Sequence, residues 1–286
     1  MHKITKNPSI KSLNCRGKLI QMDKALIMGI LNISDNSFFD GGKFNNIDSA
    51  LKKTEEMLKD GADIIDIGAV STKPGAKDMD INKELQRLIP ILTEIKKQFP
   101  EAIISVDTWR AKAAKESLDI GADIINDISG GQFDDKMMEV VGKYDAPYIL
   151  MHTKGKPNEM QKNPSYTDVM TEVKTYFSKQ IAQAKECGIN DIVLDPGFGF
   201  GKTVEHNYKI LHALSEFNIF NKLVLVGISR KSMINNVLEI EAKQALNGTT
   251  VLNTIALLNG ADILRVHDVK EAKEVVLLVE RLINTY

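Results

Sequence analysis

Eight short apolar runs recur along the chain at fairly even intervals: Ala25 to Leu31, Ala62 to Ile67, Ala102 to Val106, Asp123 to Ile125, Pro147 to Met151, Asp191 to Leu194, Leu223 to Ile228 and Asp262 to Val266. They show little alternation, the pattern of strands whose two faces are both covered in a parallel sheet. Between them the apolar residues fall at helical spacing over 47–60, 81–99, 110–119, 134–143, 166–187, 203–217, 241–259 and 268–284, with a shorter helix near Lys231 to Leu238. Strict strand–helix alternation predicts an α/β fold, a (β/α)8 TIM barrel, with residues 1–286 forming a single domain. Leu19 to Met22 predicts a short N-terminal lead-in strand that ends in a turn at Asp23 and Lys24.

An internal repeat supports this. Gly61-Ala62-Asp63, Gly121-Ala122-Asp123 and Gly260-Ala261-Asp262 each lie between a helix and a strand, and Cys187 to Asn190 occupies a related place. The glycine suits a left-handed helix terminus, and the residues after it enter the sheet.

Composition narrows the function. With 37 basic and 38 acidic residues intermixed, the net charge of -1 leaves no polycation for nucleic acid or an anionic membrane surface. No apolar run is long enough to cross a bilayer, and Met1 to Lys11 has no apolar signal core. Two cysteines, Cys15 and Cys187, lack disulfide-framework or metal-ligand spacing and suit a reducing compartment. A cytoplasmic protein acting on small molecules is expected.

In such barrels the chemistry stands at the C-terminal ends of the strands. Those positions hold Asn32, Asp66, Asp107, Asn126 with Asp127, His152, Asp195, Ser229 to Ser232, and Arg265 with His267. Asp127 and Ser232 alone would read as helix caps, His152 as a neutral packed side chain, and His2, His206 and His212 as surface residues. Acceptors (Asp66, Asp107, Asn126, Asp195) and cations or donors (Arg230, Lys231, Arg265, His267) point to a ligand with two ends, one a heterocycle and the other anionic. The stretch DIVLDPGFGFGK, Asp191 to Lys202, puts a carboxylate at a strand end before a glycine-bearing turn, and Lys202-Thr203 opens the next helix. It is not a phosphate-binding P-loop, because Pro196 stands where the first glycine is required. Asn32 to Phe44 is polar, too long for a tight turn, and reads as a mobile active-site loop.

Taken in order, MGILNIS with SFFDGG (Met28 to Ser34, Ser37 to Gly42), IIDIG (Ile64 to Gly68), STKPGA (Ser71 to Ala76), SVDT (Ser105 to Thr108), INDISG (Ile125 to Gly130), Met151-His152, LDPGFGFGK, SRKSM (Ser229 to Met233) and RVHD (Arg265 to Asp268) resemble the dihydropteroate synthase family. The resemblance runs from about Gln21 to the end of the barrel.

It implies a sulfonamide-sensitive, typically homodimeric folate-pathway transferase that condenses 6-hydroxymethyl-7,8-dihydropterin diphosphate with 4-aminobenzoate, with Mg2+, giving dihydropteroate and pyrophosphate. By the same resemblance Asp107, Asn126, Asp195, Lys231 and Arg265 would bind pterin, and Asn32, Arg265 and His267 the diphosphate, with Asn32 at the metal. Thr72, Phe200, Lys231 and Ser232 would surround aminobenzoate, and Asn32, Lys231, Arg265 and His267 would carry the catalysis. The loops depart from the family pattern at Asp35, Asn36, Val70 and Lys73, which implies an altered sulfonamide response. Rival readings are a methyltetrahydrofolate- and corrinoid-dependent methyltransferase, which would not explain Lys231-Ser232 together with Arg265-Val266-His267, and a silent pterin-binding protein.

Overall fold

The computed structural model describes residues 11–33, 42–70, 79–156, 159–161 and 164–285. A hairpin of β1 (Lys11–Cys15) and β2 (Lys18–Met22) precedes β3 (Leu26–Asn32), α1 (Gly42–Asp60), β4 (Ile64–Gly68), α2 (Ile81–Gln98), β5 (Ile103–Asp107), α3 (Ala111–Ile120) and β6 (Ile124–Asp127). Then follow α4 (Met137–Lys143), β7 (Tyr148–Met151), α5 (Val169–Glu186), β8 (Ile192–Asp195), α6 (Val204–His212), β9 (Leu223–Val226), α7 (Ser232–Leu238), α8 (Leu246–Leu258), β10 (Ile263–Val266) and α9 (Val269–Ile283). Strands β3 to β10 close into a parallel barrel, β10 pairing with β3.

Both faces of these strands are buried, which explains the missing alternation. Outward residues such as Ile27, Ile65, Ile104 and Leu194 join the layer under the helices. Inward residues Met28, Ile64, Ile103, Ile124, Ile149, Val193, Leu225 and Ile263 form a separate cluster filling the barrel's lower half. Because side chains on a strand repeat every two residues, the next inward positions are Asp66, Ser105, Asn126, Met151, Asp195 and Arg265, and Asp107 follows Ser105. The interior thus changes from apolar at the bottom to largely polar at the top from one inward position to the next, two residues on.

The lead-in strand is half of a two-stranded antiparallel hairpin. Leu13, Cys15, Ile20 and Met22 pack against the lower interior cluster and seal that end. The partner strand Lys11–Cys15 escapes a reading by hydrophobicity because its lone apolar pair, Leu13 and Cys15, is flanked by exposed Ser12 and Asn14. Two predicted helices are also cut short. The segment 203–217 ends as α-helix at His212 and continues as a 3-10 helix over Leu214–Phe220, a tighter turn that stacks Leu214 and Phe217 on one buried face. The segment 241–259 likewise starts with a 3-10 turn, Ala242–Gln244, capped reciprocally by Glu241 and Gln244. Asp134 does not begin a helix; its carboxyl accepts the Ala111 and Lys136 N–H groups. The predicted loop Asn32 to Phe44 lies largely outside the described residues, although α1 already begins at Gly42.

The Gly-Ala-Asp repeat has a shared geometry. Gly61, Gly121 and Gly260 have φ of 98°, 113° and 95°, left-handed values that favour a residue without Cβ. Each aspartate then exchanges two hydrogen bonds with one residue of the preceding strand. Asp63 donates its N–H to Ile27 O and accepts Ile27 N–H at Oδ2, both at 2.8 Å. Asp123 does the same with Ile104, and Asp262 with Val224, again at 2.8 Å in every bond. Asp123 also holds Lys96 Nζ at 3.0 Å. Asp123→Ala strands the Ile104 N–H and this lysine, so urea unfolding is expected to show a loss of about 1–3 kcal/mol; an unchanged midpoint would refute the stitching role.

Candidate active site

The polar upper ring of the barrel brings Asp66, Asp107, Asn126 and Arg265 into direct contact. Arg265 reaches across from β10: Asp66 Oδ2 accepts its Nε at 2.6 Å and Asp107 Oδ2 accepts its Nη2 at 2.8 Å. Asn126 Nδ2 donates to the same Asp66 oxygen at 3.1 Å. The other oxygens, Asp66 Oδ1 and Asp107 Oδ1, are buried with no partner among the described residues. Buried acceptors are rarely left unpaired, so these two mark where a ligand's N–H groups or a water can bind.

Electrostatics follow from burial. Asp107 is pushed up to about 7 by burial, against the pull of Arg265 and with help from Asp66. Arg265 is disfavoured by burial, but Asp66 and Asp107 outweigh that and raise its affinity for the proton. Asp195 is raised by burial, opposed by Lys231, and its Oδ1 accepts Gly197 N–H at 2.7 Å. Lys231 is lowered by burial to about 8. Its Nζ donates to Phe198 O at 2.5 Å and lies 4.8 Å from the centre of the Phe200 ring. His267 Nδ1 meets Ser229 Oγ at 3.0 Å, and burial lowers it to about 4, leaving a neutral imidazole near pH 7.

The expected segregation of acceptors from cations is not what the barrel builds. Arg265 sits among the carboxyls, and Arg230 turns aside, its Nε donating to Asp268 Oδ2 at 2.9 Å and its Nη2 to Oδ1 at 2.5 Å. Asp127 caps a turn, not a helix, accepting Ser129 N, Gly131 N and the Tyr148 hydroxyl at 2.7, 2.8 and 2.6 Å. Ser232 is exposed in the first turn of α7 and makes no cap bond, since the N-cap position belongs to Lys231. His206 is half-buried and completes a capping box with Thr203, whereas His212 is exposed. His152 is neutral and packed, as its reading required, held down to about 2 by burial and by Lys202. Thr72, Lys73, Asp35, Asn36 and His2 lie outside the described residues; Val70 is buried.

Asn32 stands exposed on the rim. A Cβ built on Gly68 would lie 3.6 Å from both Asn32 Oδ1 and Asp107 Oδ2, so the bare glycine keeps a space flanked by two oxygens. Among the described residues no group of three His, Cys, Asp or Glu could form a metal cage.

Comparison with known proteins decides the family. The pterin-binding enzyme family matches residues 28–267. Dihydropteroate synthase of Escherichia coli K12 is 43% identical over 274 residues, covering 95% of this chain and 96% of that one. The chain belongs to the dihydropteroate synthase family. The structure of the Yersinia pestis dihydropteroate synthase with a sulfonamide drug superposes with a TM-score of 0.89 at 41% identity, covering 95% of this chain and 99% of that one. Xanthomonas albilineans dihydropteroate synthase with 4-aminobenzoic acid superposes with a TM-score of 0.89 at 31% identity, over 96% and 98% of the two chains. As a dihydropteroate synthase this chain is a transferase of folate biosynthesis, and the (β/α)8 expectation is met.

Two side chains do more than their sequence positions show. Asp66 is a strand-end acceptor by sequence and in the fold also anchors Arg265; its signal is a lone carboxylate at an inward position of IIDIG. Lys202 stands just before the Thr203 cap of α6, as the sequence predicts, and its side chain points into the protein.

Proposed function

We propose that this synthase joins 6-hydroxymethyl-7,8-dihydropterin diphosphate to 4-aminobenzoate, releasing pyrophosphate. The observation that carries the reading is the buried cluster of Asp66, Asp107, Asn126 and Arg265 with two open carboxyl oxygens. Paired acceptors of this kind suit the adjacent N–H groups of a pterin, and Asp195 adds a third carboxyl on β8. The Arg265 guanidinium offers a flat cation to the ring's face.

The arylamine nitrogen attacks the pterin's methylene carbon as the C–O bond to diphosphate breaks, and the amine proton passes to solvent. No strong base is needed, because an aromatic amine is a neutral nucleophile at pH 7. Orientation and stabilisation of the leaving charge therefore carry the catalysis. Arg265 supplies a fixed positive charge, and neutral His267 supplies one N–H that an approaching diphosphate would favour charging. Lys231 and the Phe200 ring form a wall suited to the aromatic amine, with the exposed Ser232 beside them and Thr72 placed there by family resemblance alone. Asn32, exposed on the rim, would be the side chain to hold Mg2+, which when bound would supply Lewis-acid stabilisation of the leaving group.

Pyrophosphate release with and without 4-aminobenzoate and Mg2+ tests the reading. Asp195→Ala is expected to lower kcat/KM on the order of 100-fold by deleting a charged hydrogen-bond acceptor. Pterin binding without aminobenzoate-dependent release would instead indicate a silent binding protein.

A homodimer and a cytoplasmic setting complete the proposal. Val237 and Leu238 on α7, Val251 and Ile255 on α8, and Leu277, Leu278 and Leu282 on α9 are exposed on neighbouring helices, a large apolar surface for a monomer. Leu278, 72% exposed, is the natural probe: Leu278→Asp should shift the mass in light scattering from dimer to monomer. A wild type that is already monomeric would sink this part. Both cysteines are free, and no helix among the described residues is long and apolar enough to cross a membrane.

A further inference from the structure

The Gly197 to Gly201 loop folds its carbonyls inward. Gly197 has φ of 70°, and a Cβ there would stand 2.0 Å from His152 O, so the loop lies directly on the segment after β7. The acceptors gathered this way surround a single donor, Lys202 Nζ, on a side chain only 3% exposed. It donates to Gly197 O at 2.9 Å, Phe200 O at 3.0 Å and His152 O at 3.2 Å, and meets His152 Nδ1 at 2.9 Å. Four acceptors face a group that carries at most three protons, so one bond is shared; while Lys202 is charged it has no lone pair, and the imidazole then offers Nδ1 as acceptor with its own proton on Nε2, although burial brings the lysine down to about 7. The neutral state of His152 agrees with this.

The same loop builds the wall above. Phe198 O holds Lys231 Nζ, and the Phe200 ring lies against that ammonium. Asn207 Oδ1 accepts Gly199 N–H at 2.8 Å and Tyr166 donates to Gly201 O at 2.8 Å, fixing the middle and far end. The carbonyls of Gly197 and Phe200, which bracket the wall, are tied together by Lys202.

We infer that Lys202 is a positioning residue for the second substrate: its amino group holds the Gly197 and Phe200 carbonyls so that the Phe200 ring and Lys231 form one surface. Lys202 acts through the loop and does not touch the substrate. This rests on the proposed placing of aminobenzoate against Phe200 and Lys231.

Lys202→Met keeps the length of the side chain and deletes its donors. Wild type and variant are compared by thermal unfolding, calorimetric binding of pterin diphosphate, and pyrophosphate release at varied aminobenzoate. The variant is expected to fold, to bind pterin diphosphate within about threefold of wild type, and to show a KM for aminobenzoate raised about tenfold or more, one lost anchoring interaction. Should Lys202→Met not fold, His152→Leu removes one acceptor and keeps the cation, and the same selectivity is expected with a rise of about threefold. Equal weakening for both substrates, or an unchanged KM in a folded variant, overturns the inference while the functional reading stands. Wild-type release that ignores aminobenzoate overturns both.

Discussion

Arg265→Ala is expected to lose more stability and more activity than any other single substitution in the upper ring. Asp66 is fully buried and would lose its charged partner, and Asp107 would lose the cation that opposes its burial. Breaking a buried ion pair from one side leaves an uncompensated group and typically costs about 3–5 kcal/mol. Turnover should fall on the order of 1000-fold, because a preorganised cation aimed at developing negative charge is removed. Arg265→Lys should recover part of the stability and little of the geometry, since one ammonium cannot replace a fork that serves two carboxyls. Urea unfolding and kcat/KM on the three proteins check this; a wild-type midpoint for Arg265→Ala would refute the anchoring of Asp66.

Acid should destabilise the protein through two histidines. His152 and His267 are held by burial at about 2 and about 4, below the ordinary value of 6.5. Between pH 6.5 and 4 the unfolded chain therefore binds protons that the folded chain refuses, and stability falls as pH falls, by up to about 1.4 kcal/mol per pH unit for each. Asp107 works in the other direction. With its folded value raised to about 7, it keeps a proton that the unfolded chain releases above about 4, so its contribution is present at low pH and lost as pH rises. Asp195 and Asp127, also raised by burial, act with Asp107, so the histidine contribution is read from the difference between a histidine variant and wild type and not from the net slope. Urea midpoints at pH 6.5, 5.5 and 4.5 should show a shallower acid slope in His152→Leu than in wild type. Parallel slopes would mean that His152 takes up its proton in the folded state.

Strand number, order and closure were legible because each strand is apolar on both faces and is punctuated by a Gly-Ala-Asp step or a polar terminal residue. The polar ring was legible residue by residue for the same reason: Asp66, Asp107, Asn126 and Asp195 are conspicuous in otherwise apolar strands. Their partnerships were not. Arg265 and Asp66 are 199 positions apart, and no local pattern says that one guanidinium will bridge β4 and β5. The inward course of the Lys202 side chain was not legible, because a lysine before a helix normally faces water, and only the inward carbonyls of a left-handed loop reverse that preference. Strand β1 was invisible because a plug needs only two inward side chains, too few to stand out.

The aspartate stitches bear on how the ring assembles. Each joins one strand to the strand just before it, across 36, 19 and 38 residues, so β3–β4, β5–β6 and β9–β10 can form as local pairs while the rest of the chain is still unfolded. The contact between β10 and β3 spans nearly the whole chain and carries the largest loop-closure entropy. Arg265 sits on β10 beside that junction and clasps β4 and β5 beyond it. Closing the ring and completing the polar cluster of Asp66, Asp107 and Arg265 are thus the same event, and an intermediate with seven strands in place has neither a sealed barrel nor that cluster.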